Sequence, residues 1–165
     1  MAGKQQRDAE FTAFVRASSP ALTRTAWFIC GDTEMARDLV QEAYVKTYLA
    51  WSRVRLEDAV GYTRKVLVNL NIDRWRRRRP ETSGLVPERA IPSAEAAVDE
   101  RDRVARMLAD LPRQQRAVVV LRYLDDLSEQ DTAAHLGISV GAVKSAASRG
   151  LAALRAHHVP EGELR

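Results

Sequence analysis

A single cysteine, Cys30, in 165 residues leaves no partner for an intramolecular disulfide. In the apolar stretch Trp27 to Ile29 it reads as a small buried hydrophobe rather than a reactive thiol. No apolar run approaches the ~20 residues that a membrane helix needs, and the polar start from Met1 to Glu10 lacks the apolar stretch of a signal peptide. A cytoplasmic protein without a membrane span is therefore expected. His135, His157 and His158 form no metal-ligand spacing with Cys30, no glycine-rich phosphate loop occurs, and no paired carboxylates sit in an apolar setting. The chain is accordingly read as a binding protein: not an enzyme, with no catalytic residues, no metal and no cofactor. Convincing alternating strands and Asn-Gly or Asp-Gly hairpin turns are also missing.

Charge is present in quantity but unevenly placed. The net charge is +4, and lysine supplies only Lys4, Lys46, Lys65 and Lys144 of the 26 basic residues. A bias to arginine of this kind is what a GC-rich genome produces. Residues 1–79 carry 15 Lys/Arg against 9 Asp/Glu, residues 80–98 carry 1 against 3, and residues 99–165 carry 10 of each. Within the last stretch no acid lies between Thr132 and Pro160. Two separate basic surfaces suit a polyanion touched at two places.

Apolar periodicity predicts an all-α chain of two small helical domains joined by a flexible acidic linker. The expected layout is a disordered N-terminus over 1–10, a first domain over 11–79, a linker over 80–98, a second domain over 99–158 and a tail over 159–165. Breaks are expected at Ser18-Ser19-Pro20, at Cys30-Gly31-Asp32-Thr33, where Asp32 or Thr33 can cap a helix, over the polar stretch Ser52 to Asp58, and at Leu111-Pro112. Pro80, Gly84, Pro87 and Pro92 interrupt regular structure in the linker. Fully extended, the linker reaches ~60 Å, which allows contacts with DNA sites about two turns apart at ~34 Å per turn.

The clearest motif is the helix-turn-helix pattern from Ser128 to Ser145. Ser128 caps its first helix, small Ala133 permits close crossing, Gly137 makes the turn, and Leu136, Ile138 and Val143 fill the angle. Ser139 caps a second helix with an expected interior stripe of Val143, Ala147, Leu151 and Leu154. Gly141, Ala142, Lys144, Ser145, Ser148 and Arg149 are left on its outer face, small, polar and basic enough to enter a major groove. The bland counterpart is a helical hairpin with a solvated basic face.

Two further stretches carry chemistry. In Asp38 to Trp51, Ala36, Leu39, Val40, Ala43, Tyr44, Thr47 and Trp51 make one helical stripe, and Asp38, Gln41, Glu42, Val45 and Leu49 make a second. A second stripe mixing acids with apolar residues points to a protein partner, although a helix buried on both sides would give the same pattern. Gly61 to Arg79 is an amphipathic helix ending in a basic run, with Asn69, Asp73 and Arg77 on one face and Arg76, Arg78 and Arg79 completing the charge. Tyr62 and Trp75 are candidates for stacking on exposed bases, though aromatics at such spacing more often belong to the core.

The segment Leu111-Pro-Arg-Gln-Gln-Arg-Ala-Val-Val-Val-Leu-Arg-Tyr123, followed by the helix-turn-helix, resembles the fourth region of bacterial sigma factors, and the two earlier stretches resemble the second. Together they resemble the extracytoplasmic function (ECF) group of the sigma-70 family, actinobacterial in character, over Phe11 to Arg155. The resemblance implies a transcription initiation factor that binds core RNA polymerase through the clamp helices of its largest subunit. It implies upstream (−35) recognition by the Gly141 to Arg149 face, and recognition and melting of the downstream (−10) element by Asn69, Asp73 and Arg76 to Arg79. The loop Ser52 to Ala59 takes a flipped base in this scheme, Asp38, Gln41, Glu42, Val45 and Leu49 meet polymerase, and the acidic linker mimics nucleic-acid charge. It further implies an anti-sigma factor as partner. Ala146 departs from the family, which usually has arginine there, so one phosphate contact is expected to be lost. The competing reading is a dimeric helix-turn-helix regulator that does not bind core polymerase, against which the two-stripe helix and the long tether argue.

Overall fold

The computed structural model describes residues 1–78 and 100–157, and divides into two compact units. The linker expected over 80–98 and the tail over 159–165 lie outside the described residues. The first unit holds α1 (Ala2–Cys30), α2 (Thr33–Leu49), two 3-10 turns (Trp51–Arg53 and Leu56–Asp58) and α3 (Ala59–Arg78). The second holds α4 (Glu100–Ala109), α5 (Arg113–Val119), a π-helical turn (Val120–Leu124), α6 (Glu129–Leu136) and α7 (Val140–His157). Among the described residues there is no strand, and no helix is long and apolar enough to cross a membrane.

The N-terminus corrects two expectations. Residues 1–10 are not disordered: α1 begins at Ala2 and runs unbroken through Ser18-Ser19-Pro20 to Cys30. Polar residues near its start find partners across the fold. Arg7 donates to the Tyr48 carbonyl at the end of α2 (2.8 Å) and lies 4.6 Å from the Tyr48 ring centre, while the Tyr48 hydroxyl donates to Asp8 (2.6 Å). Proline inside a helix removes one donor and costs ~3 kcal/mol. Burial of Phe14 before Pro20, and of Leu22, Ala26, Phe28 and Ile29 after it, offsets that cost.

Gly31 ends α1 in the left-handed region (φ 72°), and its N–H donates to Trp27. Asp32, rather than Thr33, caps α2 by accepting from the Met35 N–H at 2.9 Å. Leu22, Leu39, Ala43, Leu67 and Val68 form the interior, where the Thr47 and Thr63 hydroxyls sit 3.0 Å apart between α2 and α3. Each also lies within reach of a carbonyl one turn earlier; with one proton apiece the two hydroxyls fill two of these three contacts, and neither is stranded. Phe11 packs edge-on against Tyr44, Tyr48 and Trp51, closing one end of the bundle. Burial pushes the Tyr44 phenol up, and Ser18 shares a 2.8 Å hydrogen bond with it.

In the second unit, Val118, Ala133, Val143, Ala146 and Ala147 make the core of the α5–α6–α7 assembly, with Leu136, Ile138 and Val140 packed against it. α7 crosses α5 at Gly150, where a Cβ would stand 2.8 Å from Cγ2 of Val119. The interior stripe of α7 is therefore Val143, Ala146, Ala147 and Gly150, while Leu151 and Leu154 are only half-buried.

Two outcomes follow from this packing. Replacing Tyr48 by Phe should speed amide exchange in the first turns of α1 while leaving α3 unchanged; equal exchange would show that the Asp8 contact holds nothing. Hydrogen bonding to Asp8 raises the Tyr48 phenol above its ordinary 10.0. Whatever this contact contributes is therefore complete below pH 10 and lost as pH rises through the folded-state value. Gly150→Ala gains ~1 kcal/mol of helix propensity but forces the stiff, buried Val119 aside at a cost of ~1–3 kcal/mol. A net loss of up to ~2 kcal/mol in urea unfolding is expected; a gain would mean that Val119 yields freely.

Candidate nucleic-acid interface

The helix-turn-helix forms as its residue types dictate. Ser128 accepts from the Asp131 N–H (3.0 Å) and caps α6. Gly137 adopts the left-handed conformation (φ 64°), which a side chain would strain, and Ile138 donates to Ala133 across the turn. Ser139 accepts from the Ala142 N–H (3.0 Å), so α7 is capped as well. On its outward side Gly141, Lys144, Ser145, Ser148 and Arg149 are exposed, and Ala142 is half-buried beside them. All six predicted residues thus share one face, and no acid of α7 joins them.

Ala146 points the other way. It is 7% exposed, in the core beneath Ala133 and Val118. Alanine at this position fills interior space.

On α3, Ala59, Thr63, Leu67, Val68 and Leu70 are buried, and Asn69, Asp73, Arg76, Arg77 and Arg78 are exposed. Arg79 lies outside the described residues. Three arginines at the C-terminal end of the helix meet the negative end of its dipole and leave a cationic tip. Tyr62 is exposed on the same helix, Trp75 is half-buried, and Leu56 projects from the loop before α3.

The second stripe of α2 faces solvent: Asp38 and Gln41 are exposed, as are Val45 (55%) and Leu49 (71%). Beside them a groove of about 520 Å³ runs between α1 and α2, floored by Val15, Val40 and Tyr44 and rimmed by Ser19, Gln41 and Tyr48. Glu42 differs from its neighbours, being half-buried and paired with Arg74 of α3 at 2.9 Å. That bridge ties the α2 face to the basic helix.

Spacing along the chain missed residues brought in from other elements. Arg74 is one. Another is Glu129 of α6, whose carboxylate lies 3.7 Å from Lys144 of α7 and 4.0 Å from Arg122. Among the described residues no cluster of His, Cys, Asp and Glu could hold a metal ion.

Comparison with known proteins agrees with this layout. Residues 14–81 match the family description "Sigma-70 region 2", and residues 101–154 match "Sigma-70, region 4". The RNA polymerase sigma-E factor of Streptomyces avermitilis is 40% identical over 88% of this chain and 83% of its own length. The ECF RNA polymerase sigma factor SigW of Bacillus subtilis is 27% identical over 92% and 90%. The sigma factor RpoE of Bartonella quintana, solved in complex with the anti-sigma factor NepR, shares the fold with a TM-score of 0.72 at 24% identity, over 88% of this chain and 94% of that one. With regions 2 and 4 matched in order on its two helical units, this chain belongs to the sigma-70 family of RNA polymerase sigma factors, in the extracytoplasmic function group.

Proposed function

We propose that this protein directs promoter-specific transcription initiation by binding core RNA polymerase with its first unit and promoter DNA with both units, in the cytoplasm and without chemistry of its own. The observation that carries this reading is the complete sorting of α7. Every residue assigned to base or phosphate contact lies on its outer side, and every interior position is small or apolar. Arg149 has the fork geometry for guanine, Ser145 and Ser148 can take several base edges, and Lys144 suits a phosphate. On α3, Asn69 and Asp73 face the melted −10 strand, and the arginine run from Arg76 anchors phosphates without reading sequence.

The exposed α2 face supports docking to the clamp helices of the polymerase largest subunit. Val45 and Leu49 supply the apolar centre of the contact, and Asp38 and Gln41 supply a polar rim. Glu42 contributes by holding Arg74 as well as by its own exposed edge. An anti-sigma factor is the natural competitor for this face, because apolar side chains left in solvent serve either partner.

Run-off transcription with purified core polymerase on genomic promoter fragments tests the whole reading: defined transcripts that depend on this chain are expected, and their absence overturns it. Replacing Asp38, Gln41, Val45 and Leu49 together by alanine should weaken core-polymerase binding about tenfold or more with helical content unchanged. Undiminished binding by the folded variant removes this face from the interface. Arg149→Ala should cost about 1 to 3 kcal/mol on the cognate upstream element and relax preference at one base position. A uniform loss over all substituted elements would instead make Arg149 a phosphate anchor.

A further inference from the structure

The outer face of α7 has no acid of its own, yet an acid reaches it from the neighbouring helix. Glu129 is the first residue of α6, directly after the Ser128 cap, where the positive end of the helix dipole favours a carboxylate. Its two oxygens face two cations: Oε2 stands 3.7 Å from Lys144 Nζ, and Oε1 stands 4.0 Å from Arg122 Nη2. Both distances exceed the 2.7–2.9 Å of a tight charged hydrogen bond, so these are loose pairs that can exchange partners. The two cations are held differently. Arg122 also donates to the Leu127 carbonyl and its side chain is 24% exposed, whereas Lys144 is 65% exposed and has Glu129 as its acid.

We propose that Glu129 is an electrostatic brake on duplex binding: it neutralises Lys144 in the free protein, and a DNA phosphate must displace it when α7 enters the groove. This rests on the reading of the second unit as a promoter-binding module. Lys144 exchanges one anion for another, so it contributes less to affinity than an unpaired lysine would. The Glu129 carboxylate left beside the duplex takes up a cation from solution, which offsets the counterion that Lys144 releases from DNA. Glu129 thereby lowers both the strength and the salt sensitivity of phosphate contact, while Arg149, Ser145 and Ser148 keep their access to base edges. The contribution of sequence-independent attraction falls relative to readout, and that ratio is what separates a promoter from the bulk of a genome.

The test is a salt series of binding to a labelled mixed-sequence duplex by the full chain, comparing the unaltered protein with Glu129→Gln, Lys144→Gln and the double variant. Glu129→Gln should tighten binding about two- to five-fold, the range expected when an exposed ion pair no longer has to be broken. It should also steepen the slope of log affinity against log salt by up to ~0.9, one duplex phosphate. In the Lys144→Gln background the same change should have little effect on either quantity. If Lys144→Gln weakens binding but Glu129→Gln leaves affinity and slope unchanged, Glu129 is no brake and the promoter-binding reading stands. Weaker binding by Glu129→Gln overturns the brake too, since the carboxylate then props the helices in place. If Lys144→Gln leaves binding to the mixed-sequence duplex unaltered, and Arg149→Ala, measured alongside on the cognate upstream element, costs nothing there, the reading of α7 as the DNA-contacting helix fails, and the brake fails with it.

Discussion

Ala43, Thr47, Ala59 and Thr63 bring α2 against α3 in the first unit, as Ala133, Ala146, Ala147 and Gly150 bring α7 against its neighbours in the second. Helices can approach this closely only where side chains are small, and close approach fixes which way each helix faces. Once Thr47 and Thr63 share their hydrogen bond, Asp38, Gln41, Val45 and Leu49 are left exposed among the described residues. Once Val119 fills the space over Gly150, Lys144, Ser145, Ser148 and Arg149 are turned outward. The exposed faces proposed for interaction follow from the packing of small residues rather than from any special chemistry at the surfaces themselves.

Much of this was legible in the sequence because it is local. Capping by Ser128 and Ser139 and the turn at Gly137 involve groups within five residues of one another, and helical spacing anticipated most of the exposed residues of α2, α3 and α7, with Glu42 and Ala142 half-buried among them. The failures came where distant segments decide the outcome. Residues 1–10 looked too polar to fold, because Arg7 and Asp8 meet their partner at Tyr48, some forty residues away. Pro20 looked like a break, because local propensity does not count the buried residues on either side of it. The interior of α7 was placed too far toward Leu151 and Leu154, since periodicity fixes the spacing of a stripe but leaves its rotation to the helix packed against it, here α5. Glu129 and Arg74 escaped notice because their partners sit on other helices, and spacing along one helix carries no information about them.

The charged residues divide by environment as well as by sign. Arg76, Arg77 and Arg78 stand exposed at the end of α3, whereas Arg74, two residues earlier, is half-buried and committed to Glu42. A basic run in a sequence therefore mixes structural cations with interacting ones. Here Arg74 joins a helix proposed to meet polymerase to a helix proposed to meet DNA, so loss of Glu42 would disturb both surfaces together.

The alternation along α7 has an evolutionary consequence. Buried Val143, Ala146, Ala147 and Gly150 interleave with exposed Lys144, Ser145, Ser148 and Arg149, so that none of these eight serves both the core and the face proposed for readout. Exchanges at exposed sites away from caps and buried networks usually change stability by less than about 0.5 kcal/mol. Ser145, Ser148 and Arg149 can therefore mutate through many side chains without threatening the fold. On the proposed reading of this face, a duplicated gene of this kind could drift to a new set of promoters by single substitutions, each leaving a stable protein, which gives a lineage a ready route to many parallel regulators built on one scaffold.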